Sequence, residues 1–536
     1  MPASREIITE MIETGNLLTI KAASIWATEF TGKSVTPSNI AYLINYGRIT
    51  KIGDNGNVLV AKQDLINYYE GFKRERAWKK QLGDDLNWAL SFEQYKESET
   101  TKHVHRLHPY KGKFIPQLVE YFLDTHTDKF KKESFFQAGD IVLDPFCGSG
   151  TTLVQASELG IHAIGIDISD FNALISNVKV RSVDFADLQL RMDEIVIALR
   201  KFVEAERHIE FENKLAEFLN NYNNQFFPSP EFKIKARRKD IDEMQYAAQH
   251  EAIVLKEFSR LVKEFAIEIK QQSQQRFIEK WFLQSVRDEI DFVFDQIRKV
   301  ENQNTKKILT IILSRTIRSC RATTHADLAT LLEPVATTYY CAKHGKICKP
   351  LFSIASWWER YCKDTIGRLR YFEKLKTDTY QICLNGNSES LDVLCALERK
   401  SAKFAALAKK QKIKGIFSSP PYVGLIDYHE QHAYAYDLFG FERKDEQEIG
   451  SMRKKQSRQA QQDYASGISN VLNNCRRFLV EDFDVFLVAN DKYSLYPQIA
   501  DNAKMQIVNQ YKRPVLNRTE KDKGAYSEII FHLKGK

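Results

Sequence analysis

The residues best suited to chemistry form a glycine-rich turn after an apolar run. Ile141-Val-Leu-Asp144 predicts a strand that ends in a carboxylate, and Pro145-Phe-Cys-Gly-Ser-Gly150 then leads into a helix. Glycine lets the backbone approach a ligand closely, and parallel sheets bind ligands at the carboxyl ends of their strands. The turn lacks the Lys-Ser/Thr pair of a phosphate loop and the third glycine of the dinucleotide fingerprint. An acid before the turn suits a ligand with an ammonium group, such as S-adenosylmethionine. The residues of this turn expected at the ligand are Asp144, Phe146, Gly148, Gly150 and Thr151.

Two other predicted strands also end in polar residues. His162-Ala-Ile-Gly-Ile-Asp167 ends in a carboxylate that suits the hydroxyls of a ribose. Far downstream, Ile416-Phe-Ser-Ser419 is followed by Pro420-Pro-Tyr422. Proline restricts the backbone, so the carbonyl of Pro420 should be held rigidly beside the Ser419 hydroxyl. Alone, this run is also typical of a turn with a core tyrosine.

Together these segments resemble the DNA amino-methyltransferases, which methylate N4 of cytosine or N6 of adenine. His108-Pro-Tyr-Lys-Gly-Lys-Phe114 is similar to that family's His-Pro-Tyr-Pro-Ala-Lys-Phe segment. The resemblance implies that Lys113 and Phe114 help to bind the methionine end of S-adenosylmethionine. Asn387 stands where the family usually has an acid facing the adenine of this cofactor, and its carbonyl can still accept a hydrogen bond. Read without the family, the first segment is a turn before an amphipathic helix.

The resemblance also assigns a role to Ser419-Pro-Pro-Tyr422. An exocyclic amino nitrogen is a poor nucleophile because its lone pair is delocalised into the base. The Ser419 hydroxyl and the Pro420 carbonyl would accept its two hydrogens, Pro421 would keep the turn rigid, and Tyr422 would stack on a base swung out of the duplex. Methyl transfer then needs positioning and no side-chain nucleophile. In the family, Ser-Pro-Pro-Tyr more often accompanies cytosine-N4 enzymes, so we expect cytosine N4, with adenine N6 as the alternative.

The N-terminal residues 1–72 predict a separate small module. Two helical segments, 18–27 and 36–44, are followed by a strand that enters a hairpin at 47–56. This order resembles the winged helix-turn-helix of excisionase and MerR-type DNA-binding proteins, whose second helix enters the major groove. A helical interaction module with a hairpin is the alternative. The resemblance implies DNA contacts by Ser38, Asn39, Tyr42 and Arg48.

The middle of the chain is predicted to be helical. No glycine occurs between Gly165 and Gly345, and apolar residues there recur at spacings of three and four. The order of motifs resembles enzymes whose target-recognition region lies between the two halves of the catalytic domain, so residues 181–371 are the candidate for that region. Within it, a run that mixes aromatic and basic residues suits phosphate contact, although a solvated linker fits equally well. Its basic end is formed by Arg237, Arg238 and Lys239.

Cysteine usage indicates reduced thiols. The 8 cysteines are scattered over a long chain, which does not suit a disulfide framework. Cys341, His344 and Cys348 fall within eight residues, and Cys320 or Cys362 would be the fourth ligand of a zinc site. No regular pair of Cys-x-x-Cys knuckles is present, so buried free thiols are favoured and no metal is assigned.

Composition sets the class of protein. The 536 residues include 78 Lys and Arg against 70 Asp and Glu, a net charge of +8 that permits a polyanionic partner such as double-stranded DNA. No apolar run approaches the roughly 18 residues that cross a bilayer, and the first residues lack the pattern of a signal peptide. We therefore expect a cytoplasmic protein without a membrane partner.

These observations predict an α/β protein, with a Rossmann-like methyltransferase sheet split by a large, mainly helical insertion. After the N-terminal module, residues 73–102 are expected to be a linker, 103–180 the cofactor-binding half, 181–371 the insertion and 372–536 the catalytic half. The expected function is methylation of duplex DNA in restriction–modification, which implies a cognate restriction endonuclease as partner. An RNA base methyltransferase and a catalytically inactive DNA-binding regulator are the other readings.

Overall fold

The structure is a computed structural model. It describes residues 16–31, 34–45, 48–53, 58–70, 86–92, 95, 97–110, 112–204, 208–269, 276–325, 331–424, 428–451, 456–515 and 526–536. The strands, in chain order, are β1 (Leu17–Thr19), β2 (Lys51–Ile52), β3 (Leu59–Ala61), β4 (Ile141–Asp144), β5 (His162–Asp167), β6 (Tyr339–Cys341), β7 (Lys346–Cys348), β8 (Gln381–Asn385), β9 (Ile413–Ser418), β10 (Leu479–Ala489), β11 (Met505–Val515) and β12 (Tyr526–Gly535).

Helices separate most of these strands. In chain order they are α1 (Ile20–Thr31), α2 (Pro37–Asn45), α3 (Lys62–Glu70), α4 (Glu97–Thr100), α5 (Pro116–Leu123), α6 (Thr151–Glu158), α7 (Asp170–Val180), α8 (Phe185–Glu204), α9 (His208–Phe226), α10 (Glu231–Arg238), α11 (Glu243–Glu264), α12 (Phe277–Trp281), α13 (Gln284–Lys299), α14 (Gln303–Ser319), α15 (Ala355–Glu373), α16 (Val393–Lys400), α17 (Ala402–Gln411), α18 (Tyr428–Gln431), α19 (Ala433–Phe439), α20 (Arg458–Arg476) and α21 (Tyr496–Asn502). None of these described helices is both long and apolar enough to cross a membrane.

A seven-stranded, mostly parallel sheet organises the catalytic part of the chain. Its strand order is β11-β12-β10-β9-β4-β5-β8, and β12 runs antiparallel to both of its neighbours. The chain moves outward from β4 through β5 to β8, and later resumes on the other side of β4 with β9. The crevice between β4 and β9 is therefore the topological switch point, where such sheets bind ligands. The predicted α/β class is confirmed.

Both faces of the sheet are buried, which explains the continuous apolar runs of its strands. Val142 and Ala163 face one core, which they share with α5, α6, α7 and helices from the middle of the chain. Ile141, Leu143 and Ile164 face the other core, against α16, α17 and α20. Successive side chains of a strand point to opposite faces, so one apolar run anchors a helical layer on each side.

The described residues between β5 and β8 are mainly helical, as the missing glycines predict, with a β6–β7 hairpin near the end. The helices α8 to α15 share the apolar core of the α5 face. Within this interval, Ser314 of α14 lies 3.0 Å from Nε2 of His108, so the helical interval contacts the segment before the catalytic sheet. Whether residues 181–371 recognise the target stays a prediction.

The N-terminal residues form a small unit with its own core. The strands pair antiparallel in the order β1-β3-β2, and α1, α2 and α3 pack around residues such as Ala27, Ile40 and Val60. At the start of α2, Oδ1 of Asn39 accepts hydrogen bonds from the backbone and the hydroxyl of Thr36. Residues 1–15 and residues 54–57, which include the end of the predicted hairpin segment, lie outside the described residues.

Part of the stretch interpreted as a linker, 73–102, packs on the sheet. Residues 71–85 lie outside the described residues, but the backbone N–H of Asn87 donates to the carbonyl of Lys512 on β11 at 2.8 Å. Leu90 is fully buried, and the guanidinium of Arg513 lies 5.8 Å from the ring of Phe92. Residues 86–92 therefore cover the edge strand of the sheet.

Candidate active site

A cleft opens at the carboxyl ends of β4, β5, β8 and β9. It has an empty volume of about 870 Å³, including solvent at its mouth. The predicted site residues that line it are Lys113, Phe114, Phe146, Gly148, Thr151, Asp167, Asn387, Ser419 and Pro421. Because β4 and β9 are paired neighbours, the glycine-rich turn and the Ser-Pro-Pro-Tyr turn meet in one cleft. The predicted residues that lie next to this lining in the chain are Asp144, Gly150, Pro420 and Tyr422.

Asp144 ties the two turns together through hydrogen bonds. It is buried, and its carboxylate accepts hydrogen bonds from Ser418 Oγ at 2.5 Å, Thr152 Oγ1 at 2.6 Å and the Phe146 N–H at 3.2 Å. Burial raises the pKa of Asp144 to about 6 despite these bonds. The side chain therefore joins the ends of β4 and β9 to the start of α6, and its contact with the cofactor stays a prediction.

Two glycines give the turn its shape. Gly148 and Gly150 have φ values of 51° and 75°, in the left-handed region that favours glycine. A Cβ on Gly148 would lie 3.0 Å from the hydroxyl of Tyr110, and one on Gly150 would lie 2.9 Å from Cβ of Ser176. Backbone conformation therefore favours glycine at both positions, and close packing against Ser176 adds a second reason at Gly150. The predicted close approach of this turn to a ligand stays a prediction.

Asp167 holds the turn from the neighbouring strand. Its carboxylate accepts hydrogen bonds from the Gly148 N–H at 2.8 Å, the Ser169 N–H at 2.9 Å and the side-chain amide of Asn172 at 3.1 Å. Burial raises the pKa of Asp167 to about 7. A carboxylate has about four acceptor positions, so one remains for a ligand hydroxyl.

Lys113 and Asn387 both line the cleft. The ammonium of Lys113 donates to the carbonyl of His105 at 2.5 Å, and burial lowers the pKa of this lysine to about 8. Beyond β8, Oδ1 of Asn387 accepts from the Glu389 N–H, which shapes the turn. The next residue, Ser388, donates to the carbonyl of Pro145 at 2.6 Å and so joins this turn to the glycine-rich one. Lys111, which departs from the family pattern, lies outside the described residues.

The Ser-Pro-Pro-Tyr turn is anchored on the antiparallel part of the sheet. Ser419 Oγ donates to the carbonyl of Val488 on β10 at 3.2 Å. Its proton is thereby directed away, and the oxygen lone pairs stay available as acceptors. The Tyr422 hydroxyl donates to Glu528 Oε1 on β12 at 2.8 Å. Both side chains are partly buried, which suits groups that meet a substrate.

A histidine and a carboxylate outside the predicted site residues line the same cleft. His429 and Glu448 are both buried, and Nδ1 of His429 contacts Oε1 of Glu448. The His429 N–H also donates to this oxygen at 3.0 Å. The polar and aromatic stretch 427–432 after the Ser-Pro-Pro-Tyr turn suits the lining of a target pocket as well as the start of a helix. Glu448 has no signal of this kind in the sequence, and only the fold brings it to His429.

Three buried polar atoms on the cleft wall have no hydrogen-bond partner among the described residues. They are Oγ of Ser149, Oδ1 of Asn172 and Oε2 of Glu448. A buried polar atom without a partner is uncommon in a folded protein, and a ligand in the cleft would supply the missing bonds. The two carbonyl and carboxylate oxygens are acceptors, so they suit a ligand that carries amino, ammonium or hydroxyl donors.

The predicted DNA contacts lie on two neighbouring surfaces, one on the N-terminal unit and one at α10. Arg48, Arg237 and Arg238 line one groove between the N-terminal unit and α10. Burial lowers the pKa of the neighbouring Lys233, and the charges of Arg237 and Arg48 lower it further, which marks a concentration of positive charge. The remaining predicted contacts, all exposed, are Ser38, Asn39, Tyr42 and Lys239.

Comparison with known proteins agrees with this arrangement. Residues 49–177 match a family model described as DNA methylase. Over 524 residues, 97% of each chain, the sequence is 44% identical to the type II methyltransferase M.MjaII of Methanocaldococcus jannaschii. It is 30% identical over 118 residues to the type II methyltransferase M.MvaI of Kocuria varians (22% of this chain, 24% of that protein) and 38% identical over 72 residues to M.BsoBI of Geobacillus stearothermophilus (13% of each). No solved structure matches the chain.

Proposed function

Since this chain belongs to the DNA methylase family, together with type II methyltransferases, we propose that it transfers a methyl group from S-adenosylmethionine to N4 of a cytosine in duplex DNA. The observation that carries the proposal is the shared cleft, in which Gly148 and Ser419 line one cavity although they are far apart in the chain. The glycine-rich turn serves the methyl donor, and the Ser-Pro-Pro-Tyr turn serves the base.

The cleft fits S-adenosylmethionine by its donors and acceptors. Asn172 Oδ1 and Glu448 Oε2 are buried acceptors without partners among the described residues, and this cofactor carries ammonium, hydroxyl and amino donors. Asp167 has an acceptor position left for a ribose hydroxyl, and Asn387 is suited to the adenine end. Lys113 and Phe114 line the cleft, and the family resemblance implies that they bind the methionine end. When bound, the cofactor supplies a methyl group on a sulfonium.

The protein's part in transfer is to orient the amino group. Ser419 Oγ accepts one amino hydrogen because its own proton is used by Val488, and the rigid Pro420 carbonyl accepts the other. Tyr422, fixed by its bond to Glu528, offers a ring face to a base flipped from the duplex. A base held in this way presents its nitrogen lone pair to the methyl group, and catalysis comes from orientation.

Serine in the first position of Ser419-Pro-Pro-Tyr422 supports cytosine N4 over adenine N6, through the family correlation described above. The type II names of the relatives support a role in restriction–modification, which implies an endonuclease that cuts the unmethylated sequence. For DNA binding, the groove of Arg48, Arg237 and Arg238 supports phosphate contact, and the N-terminal unit with α2 supports a helix-turn-helix role.

The test is a methylation assay with base identification. Purified full-length protein is incubated with S-adenosylmethionine and mixed-sequence duplex DNA or, in a parallel reaction, RNA, and the digested nucleosides are compared by mass spectrometry with authentic standards. We expect N4-methylcytosine. N6-methyladenine would reverse the assignment of the base, and methylation of RNA alone would reverse that of the substrate.

The variant Ser419→Ala tests the transfer site. We expect transfer to fall at least a hundredfold, since one of two amino acceptors is lost, while cofactor affinity measured by calorimetry changes less than threefold. Ser182→Ala, at an exposed serine, is the matched control and should match the wild type in both measurements. Full transfer activity in Ser419→Ala would remove this residue from the mechanism.

A further inference from the structure

Four side chains that commonly bind metals converge at the β6–β7 hairpin. His325, Cys341, His344 and Cys348 each contribute one ligand atom, and these atoms all lie within 4.8 Å of one another. Cys341 ends β6, Cys348 ends β7, and His344 lies in the turn between them. The fourth position is filled by His325 and not, as the spacing suggested, by Cys320 or Cys362.

One distance between two of these ligand atoms agrees with a tetrahedral metal site. Sγ of Cys348 lies 3.5 Å from Nδ1 of His344. Zinc–sulfur bonds of about 2.3 Å and zinc–nitrogen bonds of about 2.0–2.1 Å at a tetrahedral angle place these two atoms roughly 3.6 Å apart. The carbonyl of Cys341 accepts from the N–H groups of His344 and Gly345, and this tight turn brings the histidine back over the hairpin.

His325 also has an outer partner of the kind that metal-binding histidines use. The Tyr339 hydroxyl lies 2.8 Å from Nδ1 of His325, which orients the ring and leaves Nε2 available to a metal. The ring centroids of His325 and His344 lie 4.4 Å apart, so the two imidazoles are close neighbours. The β6–β7 hairpin therefore supplies three of the four ligands, and Tyr339 of β6 supplies the hydrogen bond to the fourth.

We propose that these four residues bind one structural zinc ion. Two thiols and two imidazoles are a ligand set that favours zinc over calcium or magnesium, which prefer oxygen. Four protein ligands close the coordination sphere and leave no position for a substrate. None of the four lines the active-site cleft, which again indicates a structural role.

The ion would stabilise the β6–β7 hairpin, which contacts α9, α10 and α11. Of these helices, α10 carries Arg237 and Arg238 of the basic groove. The side chain of Asn223 on α9 makes two hydrogen bonds of 2.9 Å with the backbone of Ile347. Tyr340 donates to Glu243 on α11 at 2.7 Å, and the ammonium of Lys233 on α10 contacts the carbonyl of Lys343. A two-stranded hairpin alone is marginally stable, so a metal at its base would keep these contacts in place.

Metal content of the full-length protein tests the proposal. Protein expressed in zinc-supplemented medium and passed through gel filtration is analysed by mass spectrometry of the elements, and we expect one zinc per chain. Cys348→Ser and His325→Gln should retain less than a fifth of this. Cys395→Ser, at the exposed cysteine, is the matched control and should retain all of it.

A second measurement uses the wild-type protein alone, so it tests the proposal even where the variants fail to fold. Wild-type protein is stripped with a chelator and titrated with cobalt(II), and we expect the visible bands of tetrahedral cobalt with thiolate charge transfer at one equivalent. Wild-type protein that holds less than a fifth of an equivalent of zinc and gives no such spectrum would overturn the proposal. A Cys341–Cys348 disulfide found by mass spectrometry would also overturn it.

Discussion

Replacing Gly150 by alanine tests whether the glycine-rich turn depends on close packing as well as on backbone conformation. At φ 75° a Cβ costs about 1–2 kcal/mol in the left-handed region. The new methyl would also lie 2.9 Å from Cβ and Oγ of Ser176 and 3.1 Å from its Cα, so α7 has to move. Overpacking of this kind costs about 1–3 kcal/mol. We expect a total loss of about 2–5 kcal/mol in the free energy of unfolding.

The same substitution should weaken cofactor binding. Ser176 Oγ donates to the carbonyl of Gly148 at 2.9 Å, so displacing Ser176 moves the part of the turn that lines the cleft. We expect the Kd for S-adenosylmethionine, measured by calorimetry, to rise at least tenfold, or about 1.4 kcal/mol. Urea unfolding followed by circular dichroism gives the stability in the same buffer.

Gly139→Ala is the matched control. Gly139 has φ 90°, and a Cβ there would meet no atom within 4 Å. It precedes β4 at the end of the strand opposite the cleft, so we expect only the conformational cost of about 1–2 kcal/mol and an unchanged Kd. If Gly150→Ala matches Gly139→Ala in both stability and Kd, the argument from close packing is refuted.

Three further predictions follow from the groove, the cleft carboxylate and the anchored tyrosine. The double variant Arg237→Ala, Arg238→Ala should weaken DNA binding and reduce the slope of log K against log salt by about 1.8, at about 0.9 per phosphate contact, whereas Lys410→Ala should leave that slope unchanged. The pKa of Asp167 is raised to about 7 by burial, so the folded protein keeps a proton that the unfolded chain loses between pH 4 and 7. The free energy of unfolding should therefore fall by up to about 4 kcal/mol as pH rises through that window. If the free energy of unfolding of Asp167→Asn falls with pH as steeply as that of the wild type, this assignment is wrong. Tyr422→Phe removes the bond to β12 and should lower the rate of single-turnover transfer by about tenfold without changing cofactor affinity; an unchanged rate would show that this anchor is dispensable.

The local patterns in the sequence were sufficient for the elements and for much of the cleft. Apolar runs that end in Asp144 and Asp167 predicted β4 and β5, and the position of Ser419 after its strand placed it at the same edge of the sheet. These predictions are confirmed because periodicity and strand polarity are local properties of a chain. The α/β class and the DNA methyltransferase family were also within reach of the motifs.

Partnerships between distant residues required the tertiary structure. The bond from Ser418 to Asp144 makes that carboxylate a link between two turns, and the pairing of His429 with Glu448 adds groups to the cleft that no motif includes. His325 joins Cys341 and its neighbours from another part of the chain. Hydrogen bonding and metal coordination depend on distances of a few ångströms between side chains. Spacing along the sequence determines those distances only within a turn or an element, and packing of the elements decides all the others.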